Sequence, residues 1–313
     1  MRSPTDWLNS WPFLLTLILF ISIQAISQKN PRSGKVTIGE FTLGYHIEGK
    51  GTPTLVIGNT LYYPRTFSQE LRDHLELIFI DHRGFIPSPG PMPKSTYELD
   101  TILNDVDIIR EYLGYEKVAV LGHSGHSFMA LEYGKKYPDH VSHVVMIGTA
   151  PNFGEENTQL LNQYWEESVD PNRKKQLEMN VAAMPDEKLA ELPADQAFIK
   201  GYIRNGPMIW YDYEYDSSPL WEGVSSNMDM VDYVWGELFA KIDVTEGIEQ
   251  LKAPVFLALG RYDFLVAPPS SWNEVRSEFK DLTIRVFERS GHTPQMEEAE
   301  FFDHELLSWL EIK

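Results

Sequence analysis

The stretch LGHSGHS at residues 121–127 places two serines and two histidines within seven positions. A serine hydroxyl attacks a carbonyl group only when a base takes its proton, so this stretch needs partners from elsewhere in the chain. Ser124 has small neighbours in Gly122 and Gly125, whereas Ser127 lies further into the helical pattern that follows. Small neighbours allow a tight turn between a strand and a helix to expose a serine. We therefore predict Ser124, rather than its rival Ser127, as a nucleophile.

The base and the acid that would activate this serine are predicted in two loops near the end of the chain. His292 follows the apolar run 282–288, and Asp263 follows the apolar run 254–260. In a serine, histidine and aspartate site, the histidine takes the proton and the carboxylate orients the imidazole. The order serine, aspartate, histidine along the chain fits a nucleophile on a strand–turn–helix with its partners on later strand ends. We predict that Asp263 and His292 complete a triad with Ser124.

Apolar runs predict the strands that would position these three residues. They are rich in Val, Ile and Leu and cover residues 53–59, 75–81, 117–122, 143–148, 254–260 and 282–288. Near-continuous apolar runs are typical of strands that are covered on both faces, as in a parallel sheet. Helical patterns alternate with them, listed by their residues as 96–114, 126–138 and 297–312. The sequence predicts a doubly wound, mainly parallel α/β sheet that begins with a β-hairpin at residues 35–51.

A long insertion interrupts this alternation. Residues 151–250 lack a buried-strand run and hold 20 Asp and Glu against 7 Lys and Arg, so 13 of the 19 net negative charges lie there. One hundred residues are too many for a loop, and they follow the strand end where α/β sheets bind ligands. We predict a mostly helical lid at 151–250, inserted into a core formed by 28–150 and 251–313. Its large aromatic residues are expected to form the core of the lid, with one or two of them lining the pocket: Trp165, Trp210, Trp221, Tyr233 and Trp235.

A tetrahedral intermediate needs two hydrogen-bond donors for its oxygen. One is predicted to be the backbone N–H of Gly125, directly after the nucleophile. The second is expected from the loop GNTLYYP at residues 58–64. Within it we favour the N–H of Thr60, with Asn59 and Leu61 as alternatives if the register differs. Tyr62 and these two alternatives are also candidates for contacts with the substrate.

The two histidines beside Ser124 are not expected to be its base. The base must come within about 2.6–3.2 Å of the hydroxyl, and side chains one or two residues from a tight turn point elsewhere. His126 stands where the G-x-S-x-G pattern has its last glycine, so its ring must point away from the turn. It either forms part of the pocket wall, as a substrate contact, or packs on the lid, and we favour packing.

The loop DHRGFIPS at residues 81–88 is expected on the same rim of the sheet. Asp81 and Arg83 have opposite charges two positions apart. We interpret them as a structural pair that brace each other, and not as contacts to a substrate.

Composition narrows the classes of partner. The net charge is −19, which disfavours nucleic acid and anionic membrane surfaces because both need a basic footprint. The chain has no cysteine, which excludes disulfides, thiolate metal sites and a cysteine nucleophile. The charge is compatible with a neutral or cationic small molecule as the partner, and the predicted triad indicates an ester or a small peptide or amide.

The N-terminus differs from the rest of the chain. An apolar run from Trp11 to Ile23 is short for a membrane span, which needs about 20 residues. The run ends before a small-x-small sequence, Ala25-Ile26-Ser27. We predict that residues 1–27 are a cleaved signal peptide and that the protein is secreted or periplasmic, with an uncleaved membrane anchor as the alternative.

Four motifs together resemble those of the lid-bearing α/β-hydrolase superfamily: GHSGHSFMALEYGKKYP, DHRGF, GRYDFLVAP and SGHTPQMEE. The resemblance runs from about residue 35 to the C-terminus and is weakest in the insertion. It implies an α/β-hydrolase fold and a serine hydrolase in which Ser124, Asp263 and His292 act without a metal or an organic cofactor.

Two branches of the superfamily are close to this sequence. Carboxylesterases are favoured, because proline iminopeptidases usually carry His-Gly-Gly-Pro-Gly where this chain has GNTLYY. Iminopeptidase-like enzymes hold the free ammonium group of their substrate with lid carboxylates. In WYDYEYD, residues 210–216, Trp210, Asp212 and Glu214 are candidates for such contacts, and the simpler interpretation is that these acids are solvated. A ligand-binding or signalling protein on the same scaffold is the alternative that is not an enzyme.

Overall fold

The computed structural model describes residues 31–168 and 170–311. The predicted signal peptide, residues 1–27, lies outside the described residues. Among the described residues, every helix is too short or too polar to cross a bilayer.

A single eight-stranded sheet, in the order β1-β2-β4-β3-β5-β6-β7-β8, organises the fold. β1 pairs antiparallel with β2, which pairs antiparallel with β4, and every later pair is parallel. The strands are β1 (Ser33–Ile38), β2 (Phe41–Gly49), β3 (Thr52–Gly58), β4 (Leu75–Asp81), β5 (Val118–His123), β6 (Val141–Ile147), β7 (Val255–Gly260) and β8 (Leu282–Phe287). The predicted hairpin and the predicted mainly parallel sheet are confirmed.

Helices connect and cover these strands. They are α1 (Gln69–His74), α2 (Leu99–Tyr112), α3 (Gly125–Lys136), α4 (Glu155–Ser168), α5 (Pro171–Ala183), α6 (Asp186–Ala190), α7 (Ala194–Arg204), α8 (Gly206–Ile209), α9 (Met228–Tyr233), α10 (Pro294–Glu297) and α11 (Ala299–Trp309). Three of them, α2, α3 and α11, lie within the three helical patterns predicted from the sequence, apart from the first residue of α3.

Hydrophobic side chains fill both faces of the sheet. Along β3, Leu55 and Ile57 pack into one buried cluster, while Val56 between them packs into a second cluster on the opposite face. Side chains alternate between the faces of a strand, so a run without polar residues serves both clusters at once. This is why the continuous apolar runs in the sequence located the strands correctly.

The insertion between β6 and β7 contains helices α4 to α9 and belongs to the same compact unit as the sheet. Its two ends are held together at the base. Asn152 and Asp243 form an antiparallel bridge, and Val244 N donates to the carbonyl oxygen of Pro151 at 3.0 Å. The hundred residues therefore leave and return to the sheet at one point, beside the carboxyl end of β6.

The predicted brace between Asp81 and Arg83 is wrong. Arg83 points to α2 and forms a two-pronged ion pair with Asp105, with Nη2–Oδ1 and Nε–Oδ2 distances of 2.8 and 2.5 Å. Asp81 instead accepts the backbone N–H groups of Thr60 and Gly44 at 2.8 and 3.1 Å. Asp81 ends β4 and Arg83 lies in the turn after it, so their side chains leave the chain toward different neighbours.

Candidate active site

Ser124 lies at the sharp turn between β5 and α3. Its backbone angles, φ 58° and ψ −133°, fall in a region that residues with a side chain rarely adopt. The turn is crowded, since a Cβ at Gly122 would lie 2.0 Å from the carbonyl oxygen of His126. The serine N–H is held by the carbonyl oxygen of Ile147 at 2.8 Å. This geometry presents a half-buried hydroxyl at the N-terminus of a helix, where negative charge is favoured.

Ser127, the rival serine, has a structural environment. It is fully buried, and its Oγ lies 2.9 Å from the carbonyl oxygen of Gly122 and accepts the N–H of Ile147 at 3.0 Å. These contacts tie the first turn of α3 to β5 and β6. The hydroxyl does not face the cavity described below.

Asp263 and His292 are in direct contact. His292 Nδ1 lies 2.6 Å from Asp263 Oδ2, and both side chains are buried. The second carboxylate oxygen accepts the N–H of Leu265 at 3.0 Å. Because the carboxylate can only accept, it places the imidazole proton on Nδ1 and leaves the lone pair on Nε2. Nε2 has no hydrogen-bond partner within the described part of the chain, as expected of a base that waits for a proton.

The His292 ring lies beside the turn that carries Ser124. Gly148 follows Ile147, the residue that holds the Ser124 N–H, and a Cβ at Gly148 would lie 3.0 Å from His292 Nδ1. On the other side, the His123 ring lies 4.7 Å from the His292 ring, measured between centroids. The fold thus brings the loop after β7, the loop after β8 and the turn after β5 to one edge of the sheet.

A series of hydrogen bonds between histidine and tyrosine side chains lies behind the turn that carries Ser124. His82 Nε2 lies 2.8 Å from His126 Nε2, and His126 Nδ1 lies 2.8 Å from the hydroxyl of Tyr63. The same hydroxyl is 3.4 Å from His123 Nδ1, and His123 Nε2 lies 2.8 Å from the carbonyl oxygen of His292. All four side chains that form this series are buried. Tyr63 and His82 were not predicted, because neither carries a signal that separates it from an ordinary core residue.

Burial keeps these imidazoles neutral. Desolvation lowers the pKa of His82 to about 3 and holds the pKa values of His123 and His126 well below the usual range. Neighbouring imidazoles add to the last two shifts. These hydrogen-bonded histidines therefore act through the direction of their hydrogen bonds and not through positive charge.

A cavity of about 270 Å³ opens at Ser124. The core contributes Asn59, Tyr62, Tyr63, Phe85, His123, Gly125, His126, Leu265 and Val266, and the insertion contributes Phe153, Phe198, Tyr202, Trp221, Val231, Trp235 and Phe239. No carboxylate or cationic side chain is among these described lining residues. The cavity is thus an aromatic pocket with a few hydrogen-bonding groups beside the serine.

His126 combines the two roles that were left open. Its ring lines the cavity, and it packs edge-on against Trp235 of the insertion with a centroid distance of 5.4 Å. Trp235 lies in a single π-helical turn, Val234–Leu238, a rare distortion that is often found at functional sites. The large side chain at the last glycine position of the motif is therefore accommodated by the insertion.

The predicted oxyanion donors fare differently. Gly125 lines the cavity at the first turn of α3, and the serine side chain does not cap that turn, so its N–H is available. The prediction for Thr60 is not supported, since its N–H donates to Asp81 Oδ1. Leu61, the second register alternative, is exposed, and its N–H donates to Asn59 Oδ1 at 3.0 Å. Neither Thr60 nor Leu61 is among the residues that line the cavity, whereas Asn59 and Tyr62 are.

The residues predicted as substrate contacts in the segment 210–216 lie outside the lining of this cavity. Trp210 is 2% exposed and packs in the hydrophobic core against Tyr215, away from the cavity. Asp212 and Glu214 are exposed, and Asp212 accepts the N–H of Glu214 in a local turn. The acids therefore lie on the solvent side of the segment, as the simpler interpretation had it. Of the five aromatic residues expected in the lid core, Trp221 and Trp235 line the cavity.

Glu297 holds the His292 loop in place and was not predicted. Its Oε2 accepts the N–H groups of Gly291 and Thr293, on either side of His292, at 2.9 and 3.2 Å. Its Oε1 accepts the N–H of Tyr211 at 2.6 Å. Burial raises the pKa of Glu297 to about 7, against the opposing effect of these three donors. One carboxylate thus links the loop of the proposed base to the insertion.

The sequence of this chain is similar to those of known proteins. Residues 56–299 match the family model for the alpha/beta hydrolase fold. The chain belongs to the α/β-hydrolase family. This α/β-hydrolase is 38% identical over 280 residues to the AB hydrolase superfamily protein YclE of Bacillus subtilis, covering 90% of this chain and 99% of YclE.

More distant relatives include peptidases. The chain is 25% identical to proline iminopeptidase PfmaB of Pestalotiopsis fici over 289 residues, which cover 88% of this chain and 98% of PfmaB. The crystal structure of a proline iminopeptidase from Mycobacterium smegmatis superposes with a TM-score of 0.64 at 14% identity, covering 89% and 97% of the two chains. The latter likeness shows the shared fold.

The described part of this α/β-hydrolase holds no group of three or more His, Asp or Glu side chains arranged to bind a metal ion.

Proposed function

We propose that this α/β-hydrolase is a serine hydrolase that cleaves a small or medium carboxylic ester with an apolar acyl group. The observation that carries this proposal is the aromatic cavity at Ser124, whose described lining includes no charged side chain. Moving an apolar group from water into such a cavity is favourable, so an uncharged acyl chain or ring is the ligand that fits it best. The strained turn at Ser124 and the contact between Asp263 and His292 support the reaction type.

In the proposed reaction, Ser124 Oγ bonds to the ester carbonyl carbon while His292 Nε2 takes the hydroxyl proton. Asp263 stabilises the resulting imidazolium through the bond to Nδ1. The tetrahedral intermediate collapses as the alcohol leaves with the proton from His292. Water then attacks the acyl-enzyme with His292 as base, and the carboxylic acid leaves as Ser124 regains its proton.

An iminopeptidase-like reaction is the second candidate, supported by the similarity to proline iminopeptidase PfmaB. A substrate with a free amine needs a negative partner when the amine is buried, because an unpaired buried charge is costly. Asp212 and Glu214 are exposed and outside the cavity lining, which counts against this candidate. A binding or signalling protein on the same scaffold is the candidate without turnover.

One experiment separates these candidates. The chain is treated with a fluorophosphonate probe and mapped by peptide mass, with Ser124→Ala as the control, and is then assayed on matched p-nitrophenyl esters and prolyl amides. We expect one adduct, on Ser124, and hydrolysis of the esters alone. Hydrolysis of the amides in preference to the esters would favour the iminopeptidase. Full activity of Ser124→Ala, or no adduct and no turnover, would overturn the serine hydrolase.

We also propose that the protein is exported, on the strength of the apolar N-terminal run alone. N-terminal sequencing of the protein recovered outside the cytoplasm tests this. A chain that starts at Gln28 supports a cleaved signal peptide, and a chain that starts at Met1 in the membrane fraction supports the anchor. Recovery in the cytoplasm only would refute both.

A further inference from the structure

In the loop after β3, the backbone N–H that we predicted as the second oxyanion donor, that of Thr60, already has an acceptor. Thr60 N donates to Asp81 Oδ1 at 2.8 Å. The N–H groups of Leu61 and Tyr62 both donate to Asn59 Oδ1, at 3.0 and 2.6 Å. The N–H of Gly125 is therefore available as an oxyanion donor, whereas the backbone N–H groups of Thr60, Leu61 and Tyr62 are not.

The side chain of Asn59 has a fixed orientation. Two backbone N–H groups can only donate, so the end of the amide that faces them must be the oxygen. The NH₂ end then points away from the loop. Asn59 is 4% exposed and lines the cavity together with Ser124 and Gly125, and Nδ2 has no hydrogen-bond partner within the described residues.

The sheet register brings Asn59 next to the nucleophile. β3 and β5 are parallel neighbours, with Leu55 opposite Val120 and Val56 opposite Leu121. Three residues further along both chains, this register sets Asn59 beside Ser124, at the carboxyl ends of strands that lie about 4.8 Å apart. Both residues line the same cavity, which agrees with this placement.

We propose that Asn59 Nδ2 is the second oxyanion donor, opposite the N–H of Gly125; this rests on the proposed serine hydrolase. When Ser124 Oγ bonds to the carbonyl carbon, the π electron pair moves onto the carbonyl oxygen. Nδ2–H and the Gly125 N–H donate hydrogen bonds to that oxygen without transferring a proton. The pair returns to the carbonyl when the alcohol leaves. Asn59 Oδ1 stays with the loop throughout, so the donor is fixed in place before the reaction.

Two substitutions test this role. Asn59→Asp keeps an oxygen for the two loop N–H groups and replaces the donor with a second acceptor. Asn59→Ser keeps a shorter acceptor for the loop and has no group that reaches the cavity as an amide does. Leu61→Ala, an exposed position in the same loop, is the matched control. For esters hydrolysed by the wild type, we expect kcat to fall about 100- to 1,000-fold in both Asn59 variants with KM changed less than threefold.

Inhibitors separate catalysis from loop structure. A boronic acid that forms a tetrahedral adduct on Ser124 should bind both Asn59 variants more weakly by the factor lost in kcat/KM, while binding of the carboxylic acid product stays unchanged. Retention of wild-type kcat by either variant would refute the role of Asn59, as would unchanged boronate affinity. Failure of the wild type itself to hydrolyse esters or to react with the fluorophosphonate would instead refute the proposed function.

Discussion

The backbone of Ser124 predicts an effect on stability that is separate from activity. At φ 58° and ψ −133°, a side chain crowds its own backbone, and only glycine adopts such angles without strain. Ser124→Gly should therefore relieve strain, whereas Ser124→Ala keeps the Cβ atom and the strain. Both variants lose the nucleophile, so both should be inactive, and they differ only in the backbone.

The size of the effect follows from two opposing contributions. A residue held in a sparsely populated backbone region costs about 1–3 kcal/mol. Glycine in turn lowers the stability by about 0.4–1 kcal/mol, because it loses more conformational entropy than alanine when the chain folds. We expect the glycine variant to be more stable than the alanine variant by about 1 kcal/mol, the net of these ranges. For a chain of this length, that difference raises Tm by about 2 °C.

Thermal unfolding of the two variants, followed by circular dichroism, measures this difference. Ser124 also precedes the first residue of α3, and helix N-termini prefer glycine to alanine. Asp170, which precedes α5 with an ordinary φ of −54°, is the matched control for that preference. The gain from alanine to glycine should be larger at 124 than at 170. An equal gain at both positions, or an alanine variant that is the more stable at 124, would refute the argument from strain.

Three further substitutions test contacts around the site. In Gly125→Ala, the new Cβ would lie 2.6 Å from Trp235 Nε1, so the indole must shift. We expect the free energy of unfolding to fall by about 1–3 kcal/mol and ester turnover to slow. An unchanged Tm and kcat would contradict this. Asp105→Ala leaves the buried guanidinium of Arg83 unpaired and should cost about 3–5 kcal/mol by urea unfolding, and a loss below 1 kcal/mol would count against it. Folding raises the pKa of Glu297 from 4.5 to about 7, so the folded protein binds a proton on this carboxyl more tightly than the unfolded chain does. The protonated carboxyl therefore stabilises the fold by about 3 kcal/mol below pH 4.5, and this contribution is lost as the pH rises through 7. Glu297→Gln should flatten stability between pH 4.5 and 7, and a slope equal to that of the wild type would refute the assignment.

The sheet could be predicted from the sequence because one physical requirement sets each strand. A strand covered on both faces needs a nearly continuous apolar run, and the six predicted runs match β3 to β8 within two residues at each end. The last of these strands, β8, lies at the edge of the sheet, and its Arg285 is exposed. The hairpin of β1 and β2 was visible for a different reason, its alternation of apolar and polar residues. The short helices of the insertion were not predicted individually. The positions of their apolar residues are set by the sheet and the cavity that they cover, and not by a regular helical period.

Contacts between side chains were harder to predict than elements. Asp81 and Arg83 are close in sequence, yet one bonds the loop after β3 and the other bonds α2. The prediction for Thr60 rested on the expected position of a backbone N–H, and the acceptor that captures it, on β4, is 21 residues away. Such partners depend on which strands are neighbours, and that information is absent from local spacing.

The two histidines of GHSGHS take their meaning from the direction of their hydrogen bonds. Gly84 N–H donates to His82 Nδ1 at 3.0 Å, so neutral His82 carries its proton on Nε2 and donates to His126 Nε2. His126 then carries its proton on Nδ1 and donates to Tyr63, whose own proton is free for His123 Nδ1. His123 consequently donates from Nε2 to the carbonyl oxygen of His292. Every donor in this chain points the same way and no group in it needs a charge, so it can hold the backbone of the proposed base from within the core. Neither histidine beside the serine needs to accept its proton for both to matter to the site.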